Sequence, residues 1–499
     1  MSSLRKSTAV LLTRGDYDDL EVFVVHRNPK LGFFGDYWAL PGGVFEEGDR
    51  IESDWTDDRA HQSCGLRELF EETGVLPRGL AGLCSEDQRS DLRDALLAEE
   101  SGDVWADLLR QFPEAVGELH PLGLLTTPPF AARRYRTHFH HLQLPPKEFP
   151  RIIPGELTVG EFWKPGQLLK RWRAGELLIV PPLLAFLDLY SCDAGLHAWR
   201  RALLDRTTRS EAGSIHRIRH VPGIDVLPLR TPTLPPATTT NTYVVGRKRL
   251  FIIDPATPYA DEQQRLITFL DERIVQGCEL AGILVTHHHH DHVGAVALIA
   301  ERYDLEVYGM RETLERLPQV PLRPHELFDG DRIELGRSAD GREGWHLQAI
   351  HTPGHDRGHL VFLDSRYNSL IAGDLISTLS TILIDPPEGH LATYLDSLRR
   401  VLALAPGVIH PAHGMATAQG EATLRRFLSH RAMREAALVR ALESGLCQLE
   451  DLVARVYQEV PEDLYLIAQR SLAAGLEKLE EEARVVRRAD AWHLVTPSA

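Results

Sequence analysis

The sequence predicts a multidomain α+β protein, on three observations. Its 499 residues exceed what one core holds, at roughly 100–200 residues per domain. Hydrophobic residues are 43% and charged residues 25%, the balance of a folded globular chain rather than a disordered or membrane one. Its patterning also changes along the chain: mixed strands and helix over 6–190, a basic stretch over 191–223, alternating strands and helices over 224–416, then helices and two short strands over 417–499.

In the first segment, Ala9–Leu12 and Val22–His26 read as short apolar strands and Cys64–Thr73 as an amphipathic helix. That helix carries Arg67-Glu68-Leu69-Phe70-Glu71-Glu72-Thr73-Gly74-Val75, which crowds Glu68, Glu71 and Glu72 on one face. Three like charges so close repel unless cations lie between them. Oxygen-only ligands suit Mg²⁺ or Mn²⁺, which keep waters and bridge a diphosphate, so the implied chemistry is hydrolysis of a phosphoanhydride.

This segment resembles the second half of the Nudix box. The first half departs from it: Gly43 stands 24 positions before Arg67, ten more than in the unbroken box, and Asp49 rather than Glu stands six after Gly43. With Gly32-Phe33-Phe34, Leu40-Pro41-Gly42-Gly43 and Asp54-Trp55, the insertion resembles the coenzyme A-type branch over roughly residues 6–190. The resemblance implies an α/β/α sandwich. It implies metal at Glu68, Glu71 and Glu72, with Glu72 catalytic, Arg67 bracing the carboxylates and Gly43 at the substrate, a small-molecule diphosphate or coenzyme A-type compound.

The stretch 191–223 sets Arg200, Arg201, Arg206, Arg209, Arg217 and Arg219 against Asp193, Asp205 and Glu211. It reads as a solvated linker face or as a backbone-binding strip for RNA.

Between residues 224 and 416 the strand-like runs Thr242–Val245, Leu250–Asp254 and Ile283–Thr286 alternate with helical stretches such as Ala295–Arg302. The run Thr286-His287-His288-His289-His290-Asp291-His292 follows a strand, where α/β proteins place their chemistry. His287, His289, Asp291 and His292 fit HxHxDH, a donor set for Zn²⁺, Fe or Mn, and leave His288 and His290 as spectators. His355, Asp374 and His413 follow in strand-end contexts.

This set resembles the metallo-β-lactamase superfamily, which implies an αββα sandwich with two Zn²⁺. By motif position His287, His289 and His355 would hold the first metal and Asp291, His292 and His413 the second. Asp374 would bridge them, with Asp291 and Asp374 catalytic. His359 would orient a ligand or touch substrate. Two zincs supply hydroxide near neutral pH, so the reaction class is hydrolysis. Ile384-Asp385-Pro386-Pro387-Glu388-Gly389 and Tyr394-Leu395-Asp396-Ser397-Leu398 resemble the lactamase-like endoribonuclease branch, relatives of glyoxalase II, over about 224–497. That branch implies cleavage of single-stranded RNA, whereas the glyoxalase relatives imply thioester hydrolysis of acyl-CoA or acyl-glutathione.

The last segment, helical over Glu421–Glu443, Leu449–Glu459 and Asp463–Glu482 and strand-like at Arg484–Arg488 and Trp492–Val495, suggests a small helical winged-helix module. Its third helix carries Glu477, Glu480, Glu481 and Glu482 against Arg470 and Lys478, more acidic than a DNA-reading helix. A packing cap, or a dimerisation arm making a homodimer, with Leu466, Ile467, Leu472, Leu476 and Leu479 buried, is the preferred reading. A metabolite-sensing regulator that binds nucleic acid is the alternative.

Fifty-five Lys+Arg against 71 Asp+Glu give a net charge of −16, which draws in no polyanion. Five cysteines without a CxxC pair fit a reducing cytoplasm. No signal-peptide core or membrane span is read.

Overall fold

A computed structural model describes residues 4–16, 19–82, 85–98, 102–128, 130–131, 133–190, 217–319, 323–489 and 491–495. The chain divides into two compact units, Met1–Pro222 and Gly223–Ala499. Of the basic stretch, Arg200, Arg201, Arg206 and Arg209 lie outside the described residues. Arg219 is paired with Asp188 and its guanidinium sits 5.3 Å from the Trp172 ring centroid, so that end of the stretch is packed into the first unit.

The first unit is built on an eight-stranded sheet. Its central strand, Leu4–Arg14, runs parallel to Arg134–Gln143 from Leu4↔Arg134 to Thr13↔Gln143 and antiparallel to Glu21–Arg27 and Gly42–Val44. Val10, Leu11 and Leu12 are wholly buried, which is the apolar run that marks the strand in the sequence. The helix expected over Cys64–Thr73 begins earlier, at Asp57, because part of the ten-residue insertion winds into it. Thr56 caps it by accepting the Arg59 N–H, and Asp57 and Asp58 face the positive end of its dipole. Gly74 ends it at φ 71°, donating to the Phe70 carbonyl, a left-handed stop that glycine takes without strain. Leu66, Leu69 and Phe70 are the buried side.

In the second unit a six-stranded sheet runs Pro324–Glu326, Val307–Gly309, Glu279–Leu284, Arg249–Ile253, Thr239–Gly246, Ile224–Arg230. A five-stranded sheet runs Arg332–Gly336, Trp345–His351, Leu360–Asp364, Ser369–Ser377, Val408–His413. Thr239–Gly246 and Ser369–Ser377 are buried at every position, as strands covered on both faces must be. Helices Ala260–Val275, Val296–Tyr303 and Leu391–Ala403 complete the layers.

The carboxy-terminal helices share this unit. Helix Gly420–Glu443 puts Leu424 and Phe427 into the core of the two-sheet body with Tyr394 and Leu398, and Leu438 and Leu442 into a second core with Leu452, Leu472, Leu476 and Leu479. One helix therefore roots both cores. The hairpin Val485–Arg488 and Ala491–Leu494 pairs Val485↔Leu494 through Arg488↔Ala491, forming the expected wing. Leu466 and Ile467 depart from the expected stripe: Leu466 is 77% exposed and Ile467 half-buried, since both lie in the first turn of helix Tyr465–Glu481, before its buried face begins at Ala468.

Candidate metal centre and carboxylate cluster

In the second unit the seven expected ligands come together from four strand ends or strand interiors. His287 and His289 lie just beyond strand Glu279–Leu284, His355 beyond Trp345–His351, Asp374 within Ser369–Ser377, and His413 ends Val408–His413. His289 Nδ1 lies 3.0 Å from both His287 Nε2 and His355 Nε2. On the other side His413 Nε2 lies 3.5 Å from Asp291 Oδ2 and 3.3 Å from Asp374 Oδ1, and His292 Nε2 lies 3.6 Å from the same Asp374 oxygen. Asp374 Oδ2 reaches 3.5 Å from His355 Nε2. The Asp374 carboxylate thus spans the two groups.

The outer ring nitrogens explain why the inner ones are free to ligate. His355 Nδ1 donates to the Leu383 carbonyl at 2.8 Å and His413 Nδ1 to the Thr239 carbonyl at 3.1 Å. His292 Nδ1 donates to Asp254 Oδ2 at 2.8 Å. Thr286 Oγ1 donates to Asp254 at 2.6 Å and so accepts from His287 Nδ1 at 3.0 Å. A carbonyl or carboxylate only accepts, so each Nδ1 keeps its proton and each Nε2 presents a lone pair inward.

Burial, and after it the neighbouring imidazoles, push His289 down to about 4 and His287 well below its ordinary value, so both imidazoles are neutral near pH 7. Burial works the same way on His292, but the carboxylates of Asp374 and Asp291 outweigh it and hold that imidazole well above its ordinary value. A positive charge is favoured at that point. His292 Nε2 and Asp374 Oδ1 are buried with no hydrogen-bond partner among the described residues. Orphaned donors of this kind, with imidazole and carboxylate chemistry, fit divalent cations.

Two expectations sharpen here. Of the two roles read for His359, orienting a ligand or touching substrate, the geometry favours the first: it is fully buried, its Nε2 accepts the Asp374 N–H at 3.0 Å and its Nδ1 meets Thr352 Oγ1 at 2.9 Å. It fixes the backbone of Asp374 from behind. Gly373 leaves it that room, since a Cβ there would come within 2.7 Å of His359 Nε2. His288 is not a spectator, because its Nδ1 lies 2.6 Å from the buried Asp356 carboxylate. Burial alone would raise Asp356, but the His288 contact holds it at about 2. His290 is exposed.

The first unit gathers a different cluster. Arg67 donates to both Asp49 oxygens at 2.8 and 3.1 Å, to Glu71 at 3.1 Å and to the Val44 carbonyl at 3.0 Å, and lies 3.0 Å from Glu68. Its most buried partner is Asp49, 18 positions earlier in the chain. Glu72 accepts the Gly42 N–H at 2.9 Å. A Cβ on Gly43 would fall 2.3 Å from Glu68 Oε2, so a side chain there would have to displace the Glu68 carboxylate.

Burial first, then Glu71 and Asp49, push Glu68 up to about 8 against the pull of Arg67. Burial also raises Glu71 and Glu72. The three glutamates line one cavity of about 840 Å³. Among the described residues, ligand atoms from three or more side chains converge within 4.8 Å in the second unit alone. No residue between Glu46 and Arg67 lines the cavity.

An αββα-type arrangement of two sheets with a buried histidine–aspartate cage defines a metal-dependent hydrolase. Residues 235–413 match the metallo-beta-lactamase superfamily and residues 449–492 the beta-lactamase associated winged helix domain. A "Beta-lactamase-like protein 2 homolog" from Drosophila melanogaster is 30% identical over 266 residues, 50% of this chain and 86% of that protein. "Lactamase-like protein adaB" from Aspergillus niger is 26% identical over 262 residues, 49% and 76%. The chain belongs to the metallo-beta-lactamase superfamily. Similar solved structures include a metallo-beta-lactamase family protein from Thermus thermophilus, 23% identical, TM-score 0.46, covering 55% of this chain and 99% of that one. A NUDIX hydrolase from Alicyclobacillus acidocaldarius is 25% identical, TM-score 0.32, covering 40% and 96%.

Asp254, Thr286, Thr239 and Leu383 escape the sequence reading. For Asp254 a signal exists: an acid that directly follows the apolar run Leu250–Ile253 has little reason to be buried unless it holds a donor. Among the described residues no helix is long and apolar enough to cross a membrane.

Proposed function

We propose that the second unit is a dinuclear zinc hydrolase cleaving phosphodiester bonds of single-stranded RNA, and that the first unit is a Nudix-type diphosphate hydrolase using Mg²⁺ or Mn²⁺. The observation that carries the first reading is the Asp374 carboxylate, with one oxygen toward His292 and His413 and the other toward His355. Zinc ions held by the two groups would lower the pKa of a shared water and neutralise charge on the phosphoryl oxygens. The chain does the rest: Asp254 fixes the His292 tautomer directly and that of His287 through Thr286, His359 fixes the Asp374 backbone, and the Leu383 and Thr239 carbonyls aim His355 and His413. The wing strand Val485–Arg488 offers Arg487 and Arg488 to a phosphate backbone.

The regulator reading is less well supported. Helix Tyr465–Glu481, the one that would read DNA, uses Arg470 on Asp385, Lys478 on Glu435 and Glu482, and Glu481 on His390. Its charged groups serve the packing of the hydrolase unit, as a cap would.

For the first unit the supporting observation is Arg67. It reaches Asp49 across the ten inserted residues and still touches Glu68 and Glu71, so the insertion leaves the brace intact.

The test is to offer metal-loaded full-length protein single-stranded RNA, S-lactoylglutathione and acyl-CoA in parallel, with Asp374→Ala as control. RNA cutting that vanishes in the variant supports the nuclease reading. Asp374-dependent thioester loss without RNA cutting replaces it with a thioesterase. Glu71→Gln should remove Mg²⁺-dependent diphosphatase activity and leave RNA cutting untouched.

A further inference from the structure

Four cage imidazoles are aimed through an outer ring nitrogen: His355 by the Leu383 carbonyl, His413 by the Thr239 carbonyl, His292 by Asp254 and His287 by Thr286. His289 differs. Its Nδ1 faces His287 and His355, and among the described residues no outer bond of this kind is found for it. Its main chain is held on one side, where His292 donates its N–H to the His289 carbonyl at 2.9 Å.

On the other side stands His288, whose Nδ1 lies 2.6 Å from Asp356 Oδ2. Two lone pairs would repel at that distance, so the ring nitrogen carries a proton there. Asp356 is wholly buried, and its other oxygen accepts the Gly358 N–H at 2.7 Å. The carboxylate is thus built into the loop that carries His355, its neighbour in sequence, while His288 stands between His287 and His289. The contact joins the two loops at residues adjoining all three members of the group His287, His289 and His355. No member of the other group, Asp291, His292 and His413, adjoins either residue.

We propose that His288 and Asp356 are a positioning pair for the first metal: they hold the 287–289 segment against His355, and so set the affinity of that site while leaving the other alone. The inference rests on the two-metal reading of the cage and is independent of the substrate. Tying ligand-bearing loops together before the ion arrives spares the loss of loop freedom on binding. Contacts of this kind, one shell out from the metal, are worth about 10–100-fold in affinity.

The test is a Zn²⁺ titration of the metal-stripped full-length protein against a competing chelator, read as an affinity for each of two steps. His288→Phe keeps a ring of similar size and removes the nitrogen. It should weaken one step by about 10–100-fold and leave the other within about twofold. The weakened step should be the one missing in His355→Ala and present in His413→Ala. His288→Asn, whose side-chain N–H can stand where Nδ1 stands, should restore it. His288→Phe combined with Asp356→Asn strands no buried charge, so the same loss there comes from the contact and not from a damaged fold; this double variant decides the matter should the single one not fold.

Parental affinity at both steps in the double variant overturns the pair. An equal loss at both steps overturns it too, as does a His288→Asn protein that binds as weakly as His288→Phe. A single step in the parental protein removes the two-metal reading itself, and this inference with it.

Discussion

In the second unit His289 Nδ1 lies 3.0 Å from two other imidazole nitrogens, while in the first unit three carboxylates crowd round one guanidinium and a fourth, Glu72, accepts a backbone N–H. The difference is one of charge. Neutral imidazoles repel weakly, so strand ends and outer hydrogen bonds can bring them into ligand geometry before any cation arrives. Ionised carboxylates at such distances repel strongly, so Arg67 takes Asp49, Glu68 and Glu71, Glu72 turns to a backbone N–H, and burial raises what is left. One centre is preorganised by tautomers; in the other the carboxylates are kept apart by their separate partners.

Asp374→Ala tests the first half of that contrast most severely. The carboxylate is a candidate ligand to both groups, so its loss should weaken metal binding by more than the roughly 10–100-fold typical of outer-shell partners, and turnover should vanish. Metal analysis after dialysis is the check. Full retention of two metals per chain would mean that the carboxylate does not bridge.

Arg67→Ala tests the other half. It strands Asp49, which is 1% exposed, and breaking one side of a buried pair costs about 3–5 kcal/mol. Chemical denaturation should show the first unit unfolding earlier while the second is unchanged. A single transition at the parental midpoint would remove the brace from the argument.

Asp254→Asn separates tautomer control from ligation. An amide can present its N–H where His292 Nδ1–H and Thr286 now donate, so the expected loss is about 10–100-fold in metal affinity with the fold retained. Unchanged affinity would show that the strand ends alone aim the imidazoles.

How much of this is legible in the sequence depends on distance along the chain. The cage ligands are readable because HxHxDH packs four into one loop and each remaining ligand carries its own local signature, as in Pro353-Gly354-His355 and Ala372-Gly373-Asp374. The His288–Asp356 contact is not, because nothing in a histidine run says which member meets an acid 68 positions on. Asp49 shows in the sequence only as a deviation from a pattern; its role appears once the insertion is seen to wind into the helix and return Arg67 to it. Leu466 misleads the helical stripe because the helix also faces solvent, and periodicity alone does not fix where a stripe ends.

Titration sharpens the carboxylate side. Glu68 ordinarily ionises near 4.5 and is raised to about 8 in the folded unit, so between those values the folded state holds a proton that the unfolded chain has lost. Stability of the metal-stripped first unit should therefore fall as pH climbs from about 4.5 towards 8 and level off above it. Mg²⁺ should restore it at the alkaline end, and Glu68→Gln should flatten the slope. Melting curves indifferent to both pH and Mg²⁺ would argue that no cation belongs there.

The smallest expected effect bears on why the cage is stiff. Glu481 of the carboxy-terminal module meets His390 Nε2 at 2.9 Å, and His390 caps the helix Leu391–Ala403 that follows the loop supplying the Leu383 carbonyl to His355. Both partners are about half exposed, so Glu481→Ala should lower stability by only about 0.2–1 kcal/mol. Metal content and hydrolytic turnover should not change, because the shared core through Leu424 and Phe427 carries the docking. A drop in metal content would instead make the module's surface charges part of the machinery that aims His355, and the preorganisation of the cage would then extend beyond its own strands.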